Sequence, residues 1–232
     1  MTLSTYSLPV TETVKTAWAK VHGVKGSIWA VIGIFFVIQL ILGICSNLGA
    51  QAFFSILSSI VQVLTGMSLV YLGVRRAQDA PIQYKMIKEI LTLRTFLFIV
   101  GLYILQIIIF IPAGIVAGIG IYLVQAQAEP STGMQIVGGL FYLAAAIIFV
   151  FLSVRLWLGY GAVIDKQLNP WEAVKFSFKS TEGNVWNLIG IMIINVLIIF
   201  VSALTLGIAF IWTMPWLLII YGETYKRLAA RG

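Results

Sequence analysis

The chain has 232 residues, 60% of them apolar and 10% charged, with a mean hydropathy of +1.01. A soluble domain carries about a quarter charged residues, so an ordinary soluble enzyme is excluded and an integral membrane protein is indicated. Lys and Arg number 15 against 8 acids, a net charge of +7 that in so apolar a chain faces anionic lipid and sets topology rather than binding nucleic acid.

In chain order, Pro9 opens an amphipathic segment whose stripe is Val10, Val14, Trp18 and Val21 and which ends at Gly23. Residues 27–46 are uncharged and long enough to cross a bilayer; without a small-residue cleavage site they read as a retained helix, not a signal peptide. Residues 52–74 form a second uncharged run. Pro81 opens another amphipathic segment with Ile82, Met86, Ile90 and Leu93 on one face. Residues 95–124, interrupted by Pro112, and residues 134–164, charged only at Arg155, give spans three and four. Pro170 opens the third amphipathic segment. Asn169 is placed as N-cap with Glu172 at the third helical position, a capping box, and Gly183 closes the helix. Trp171, Val174 and Phe178 share one face, with Glu172, Lys175, Lys179 and Glu182 on the other. Residues 185–203 and 205–222 complete six predicted spans, the last containing Pro215.

The expected fold is therefore all-α: a polytopic bundle of six transmembrane helices with three in-plane amphipathic helices. It forms one transmembrane domain, 1–232, of three helix-plus-hairpin units, 1–74, 75–165 and 166–232. The entry into the first hairpin, Gly26-Ser27-Ile28-Trp29, parallels Gly183-Asn184-Val185-Trp186, with a further Gly and Ile at matching offsets. All of the Lys and Arg except Arg155 fall in the loops that hold the termini; the opposite loops hold none, and one acid, Glu129. Both termini are thus expected in the cytoplasm of a bacterial inner membrane.

Arg155 lies about 15 Å up its helix from the boundary at Asp165, counting about 1.5 Å per residue. It reads either as an anion or headgroup site or as an arginine that snorkels or bonds to neighbouring helices. Gln39, Gln62, Gln106 and Asn195 sit near mid-span and either glue helices together or line a polar path with Arg155. Trp18, Trp29, Trp171, Lys175, Lys179 and Trp186 are expected at the membrane interface. Gly114 and Gly118 are spaced for close helix packing, while Pro112 and Pro215 are expected to kink their helices. Glu223 and Asp165 at the boundary are expected to pair with Lys226 or Arg227 and with Lys166. His22 and Cys45 are the only His and Cys, so no nitrogen–sulfur metal or haem set can be assembled, and neither metal nor other cofactor is expected.

The stretch Arg155-Leu156-Trp157-Leu158 through Val163-Ile164-Asp165, then Leu168-Asn169-Pro170-Trp171-Glu172-Ala173-Val174-Lys175 and Thr181-Glu182-Gly183-Asn184-Val185-Trp186, resembles a recurring pattern of bacterial six-helix membrane proteins. That group includes the membrane domain of some glycerophosphoryl diester phosphodiesterases and the YciC-like inner-membrane proteins. The ending, Leu206-Gly207-Ile208 to Pro215 to Tyr225-Lys226-Arg227-Leu228, is similar too. The chain departs from the group at Gly161, where a proline is frequent, and at Lys166, where a glutamate is frequent. It carries no phosphodiesterase domain, so the resemblance implies a stand-alone inner-membrane protein and no phosphodiesterase activity.

These features lead to the expectation of a non-enzymatic accessory, scaffold or interaction subunit, its partners being anionic membrane lipids and a protein partner or a second copy. The alternative is a small-solute or lipid transporter with a polar path near Arg155. In a chain whose Cys45 is replaced by serine, cysteines at positions 4 and 230 should be shielded from an impermeant thiol reagent in intact cells, whereas one at 132 should react. The opposite labelling pattern would invert the orientation.

Overall fold

A computed structural model describes residues 7–47, 49–125 and 131–230; Glu129 and Arg231, part of the charge asymmetry, lie outside them, as does position 4. The elements are α1 (Val10–Ala19), α2 (Lys25–Ser46), α3 (Gln51–Ala77), a 3-10 segment (Tyr84–Glu89), α4 (Leu93–Gln125), α5 (Thr132–Leu156), α6 (Gly159–Lys166), α7 (Pro170–Ser180), α8 (Val185–Leu204) and α9 (Phe210–Ala229). Every described element is helical. Five stretches are long and apolar enough to cross a membrane: α2, α3, α4, α5 with α6, and α8.

The sixth predicted span is shorter than expected. Residues 205–209 form turns, with Leu206 and Gly207 at φ +53° and +85°, so helix begins only at Phe210. Apolar sequence then lasts to Gly222, about 20 Å of helix at 1.5 Å per residue, before Glu223, Lys226 and Arg227. The turn itself is apolar, with Leu204, Leu206 and Ile208 exposed, and Thr205 bonds within it, donating to Ser202 O and accepting from Ala209 N.

Three units recur in the pattern of burial. Val24, Ile28 and Val31 are buried at the start of α2, Thr95, Ile99 and Leu102 at the start of α4, and Asn184, Leu188 and Ile191 at the start of α8, at identical intervals. This register corrects the parallel expected from Gly26. The equivalent of Gly183 is Gly23, each in the left-handed region at φ +73° and +81°, where glycine carries no Cβ penalty. The Gly-Trp likeness is thus out of step by three residues, close to one helical turn.

Each short segment that precedes a hairpin lies across the hairpin of the unit before it. The 3-10 segment meets α2 and α3, α7 meets α4, α5 and α6, and α1 returns to α8 and α9, closing a ring. A polar tie marks each of the three joints, and in the burial register Thr95 and Asn184 occupy the same position. Ser27 Oγ donates to Ile82 O (3.2 Å), Thr95 Oγ1 to Gln167 Oε1 (3.2 Å), and Leu8 N to Asn184 Oδ1 (2.7 Å).

The α7 capping box forms as expected: Glu172 N donates to Asn169 Oδ1 at 2.9 Å and the Glu172 carboxylate reaches back to the Asn169 amide. Its buried face, however, is Ala173, Val174, Phe176, Ser177 and Ser180, while Trp171 is 56% exposed. The small residues let α7 lie close on its neighbours, and Trp171 turns outward. In the same way α1 buries Thr13 and Ala17 rather than Trp18. The segment after Pro81 forms no α-helix. Residues 81–83 are not helical, and the 3-10 turn that follows brings Ile87 and Ile90, three apart, onto the core while Leu93 is exposed.

Glycine sets the closest crossings. A Cβ on Gly73 would lie 2.4 Å from Leu218 O, and one on Gly222 2.2 Å from Gly73 O, so α3 and α9 touch backbone to backbone. Between α4 and α5 the contact is Gly120 on Gly138, not the expected Gly114 and Gly118, which face open space. Helix continues through Pro112 and Pro215, but α5 and α6 are separated at Trp157 and Leu158. There the Tyr221 hydroxyl enters the helical ladder, accepting from Gly161 N (2.8 Å) and donating to Trp157 O (3.2 Å). Gly161 is required, because a Cβ would stand 2.6 Å from the Tyr225 ring.

Gly222→Ala should therefore lower stability by about 1–3 kcal/mol through overpacking, seen as an earlier thermal transition in detergent. Gly26→Ala, which faces open space, should not lower it.

Candidate functional site

The candidate polar residues do not converge. Gln39 Nε2 donates to Ser58 O (2.9 Å), and Gln39, Gln62 and Thr65 line a lateral cleft of about 460 Å³ on the first hairpin with Ile32, Phe35 and Phe36. Gln106 lies elsewhere and accepts from the Tyr160 hydroxyl, a tie between α4 and α6. Asn195 Oδ1, on α8, is buried without a hydrogen-bond partner among the described residues.

Arg155 belongs to a joint of the ring. Its guanidinium lies over the Phe178 ring (5.0 Å to the centroid), donates from Nη1 to Thr181 Oγ1 (3.3 Å), and leaves Nε buried with no hydrogen bond. Ser177 Oγ donates to Arg155 O at 2.6 Å. Arg155 precedes Tyr160 by five residues, as Trp216 precedes Tyr221. Trp216 in turn meets Trp18, the counterpart of Phe178, with centroids 4.8 Å apart. An arginine in one joint thus takes the place a tryptophan holds in another.

The residues expected at the interface divide. Trp186 is 83% exposed, and Lys175 and Lys179 are exposed on α7. Trp29 is half-buried and donates from Nε1 to Ile211 O (3.0 Å), so it also ties α2 to α9.

A charged cluster forms where α1, α3 and α9 meet. Glu223 is 2% exposed, and Lys20 Nζ lies 2.6 Å from its Oε1, 2.7 Å from Asp79 Oδ1 and 2.8 Å from Ala77 O. Lys226 Nζ reaches Asp79 Oδ2 (3.1 Å) and Ala77 O (2.8 Å), while Arg227 pairs with Glu12 (2.9 Å) and approaches Glu223 (3.8 Å). Asp165 accepts from Gln78 (2.9 Å) and the Tyr225 hydroxyl (3.1 Å), and Lys166 turns to Ala229 O and the Phe176 ring. The expected local pairings of Glu223 with Lys226 and of Asp165 with Lys166 are replaced by long-range ones, although Arg227 does stay near Glu223. The contacts place the ends of α1, α3, α6 and α9 together.

Burial alone would lower the Lys20 pKa, but hydrogen bonds with Asp79 and Glu223 outweigh it and hold the ammonium above its ordinary value. Hydrogen bonds from Lys20 and then Lys226 hold Asp79 below its ordinary value. No group of three or more His, Cys, Asp or Glu side chains suited to a metal occurs among the described residues.

The chain matches no known protein family, no curated protein and no solved structure.

Removing one partner of a buried pair strands the other's charge, at a cost of about 3–5 kcal/mol. Lys20→Met, which leaves the buried Glu223 without its close partner, should lose about that much stability, Glu223→Leu should lose less because Lys20 keeps Asp79 and Ala77 O, and the double variant should recover part of the Lys20→Met loss in a thermal-melt cycle. The Lys20 contribution is complete below the ordinary lysine value of about 10.4 and is lost as pH rises through its raised value. The Asp79 contribution is complete above about 3.9 and is lost as pH falls through its depressed value. Stability should therefore hold level between these limits.

Proposed function

We propose that the protein is a non-enzymatic accessory or scaffold subunit of a bacterial inner membrane, with the charged cluster and both terminal helices on the cytoplasmic side. In this reading α1 and α7 lie near the membrane plane and present basic outer faces, and α9, the short sixth membrane helix, returns the chain to the cytoplasm. One observation carries the choice of scaffold over transporter. The polar side chains that could line a path are spread over separate helix pairs, and α3 and α9 touch backbone to backbone at Gly73, Leu218 and Gly222, which leaves no passage between them.

The resemblance to six-helix inner-membrane proteins is retained as part of this proposal. The departure at Gly161 goes with this chain's own packing, since any Cβ there, a proline's included, would stand 2.6 Å from the Tyr225 ring.

The cleft lined by Gln39, Gln62 and Thr65 favours a second reading, a small-solute or lipid transporter. Proteoliposomes carrying the protein should release trapped small solutes no faster than protein-free vesicles. A flux that Gln62→Leu abolishes would replace the scaffold reading with transport.

A further inference from the structure

A groove of about 460 Å³ runs between α1 and the α8–α9 hairpin, lined by Thr11, Val14, Lys15, Trp18, Ile194 and Trp216. Its size falls within the roughly 300–1,000 Å³ of small-ligand sites. One wall is fixed by a hydrogen bond and a ring contact. Trp216 Nε1 donates to Val14 O (3.0 Å), and the Trp18 and Trp216 rings meet edge to face at 66°. Nearby Glu12 is paired with Arg227. Lys15 is the one charged residue in this lining, and no described residue pairs with its ammonium.

The chain contains its own comparison. In the register that superposes Gly23 on Gly183, Thr11 corresponds to Trp171 and Lys15 to Lys175. On α7 the Lys175 ammonium lies over the Trp171 ring, 5.2 Å from its centroid. On α1 a threonine stands in place of that indole, so the equivalent lysine has no aromatic cover and borders an apolar slot instead.

We propose that this groove holds one phospholipid with an anionic headgroup, an acyl chain lying along Val14, Trp18, Ile194 and Trp216 and the phosphate region on Lys15. The chemistry selects both halves of the ligand. Desolvating the slot requires hydrocarbon, which a free phosphate lacks. The unpaired ammonium at its border favours a net negative head over a zwitterionic one, whose own cation competes with Lys15. The proposal rests on the membrane reading given above, and its test does not depend on which side of the membrane α1 occupies.

Detergent-purified protein is titrated with phosphatidylglycerol and, separately, phosphatidylcholine, and bound lipids are counted by native mass spectrometry. Wild type should hold one phosphatidylglycerol in preference to phosphatidylcholine. Lys15→Gln should cut that preference about fivefold, the equivalent of ~1 kcal/mol per basic residue at an anionic surface, and Lys15→Arg should restore it. Thr11→Trp, which places on α1 the residue α7 already carries, should remove the tight site for both lipids, with a thermal transition matching wild type as the check on folding. Lys175→Gln should leave binding unchanged. Wild-type lipid retention in both Lys15→Gln and folded Thr11→Trp would overturn the proposal, as would equal retention of the two lipids by wild type. Failure of the membrane orientation would appear separately, in the cysteine labelling pattern.

Discussion

The docking of each short segment across the hairpin of the preceding unit is the constraint on which the rest depends. A transmembrane hairpin in lipid gains little from the hydrophobic effect between its own helices, because lipid tails are as apolar as its side chains. Close packing and satisfied polar groups must supply the specificity. Here they do so at three equivalent joints, through Ser27 with Ile82, Thr95 with Gln167, and Leu8 with Asn184. Glycine contacts between α3 and α9 then hold the centre, and the Lys20–Glu223–Asp79 cluster caps it. The large apolar side chains left outside, such as Phe36, Ile107, Leu140 and Val196, form the surface offered to lipid.

Much of this was legible from local signals. Apolar run length located the five long helices, and Asn169-Pro170 with Glu172 located α7, because caps act within one turn of helix. The repeat was legible in kind but shifted in register, since Trp29 and Trp186 drew the comparison by residue type. The structural equivalence instead rests on the left-handed turns at Gly23 and Gly183 and on burial at every third or fourth residue. The face of α7 was misjudged for a related reason. Periodicity treats Trp171 as core, yet a helix lying tight on its neighbours buries small residues and sends its indole outward.

The polar residues were the least legible. Lys20 and Glu223 are about two hundred positions apart, and no local pattern couples them. Arg155 stood out as a lone charge, but the meaning of its place emerges only when Phe178 and Thr181 are brought to it and its counterpart Trp216 is recognised. The α9 start was misplaced because residues 205–209 are as apolar as a span; only the backbone, with Leu206 and Gly207 in the left-handed region, breaks the helix there.

The ring also fixes an order in time. The first two joints can close as soon as the segment following each hairpin is made, but α1 is synthesised first and its seat on Trp216 last, with 202 positions between Trp216 and Val14. At about 5–20 residues per second, the N-terminal helix waits on the order of 10–40 s for its partner. Until then α1 lacks its seat on α8 and α9, and the Lys20 ammonium has Asp79 and Ala77 O but not Glu223. The nascent chain is therefore an open arc until α9 is made, and the joint of α1 with α8 and α9 closes last of the three, so termination before α9 costs the whole circle rather than one unit.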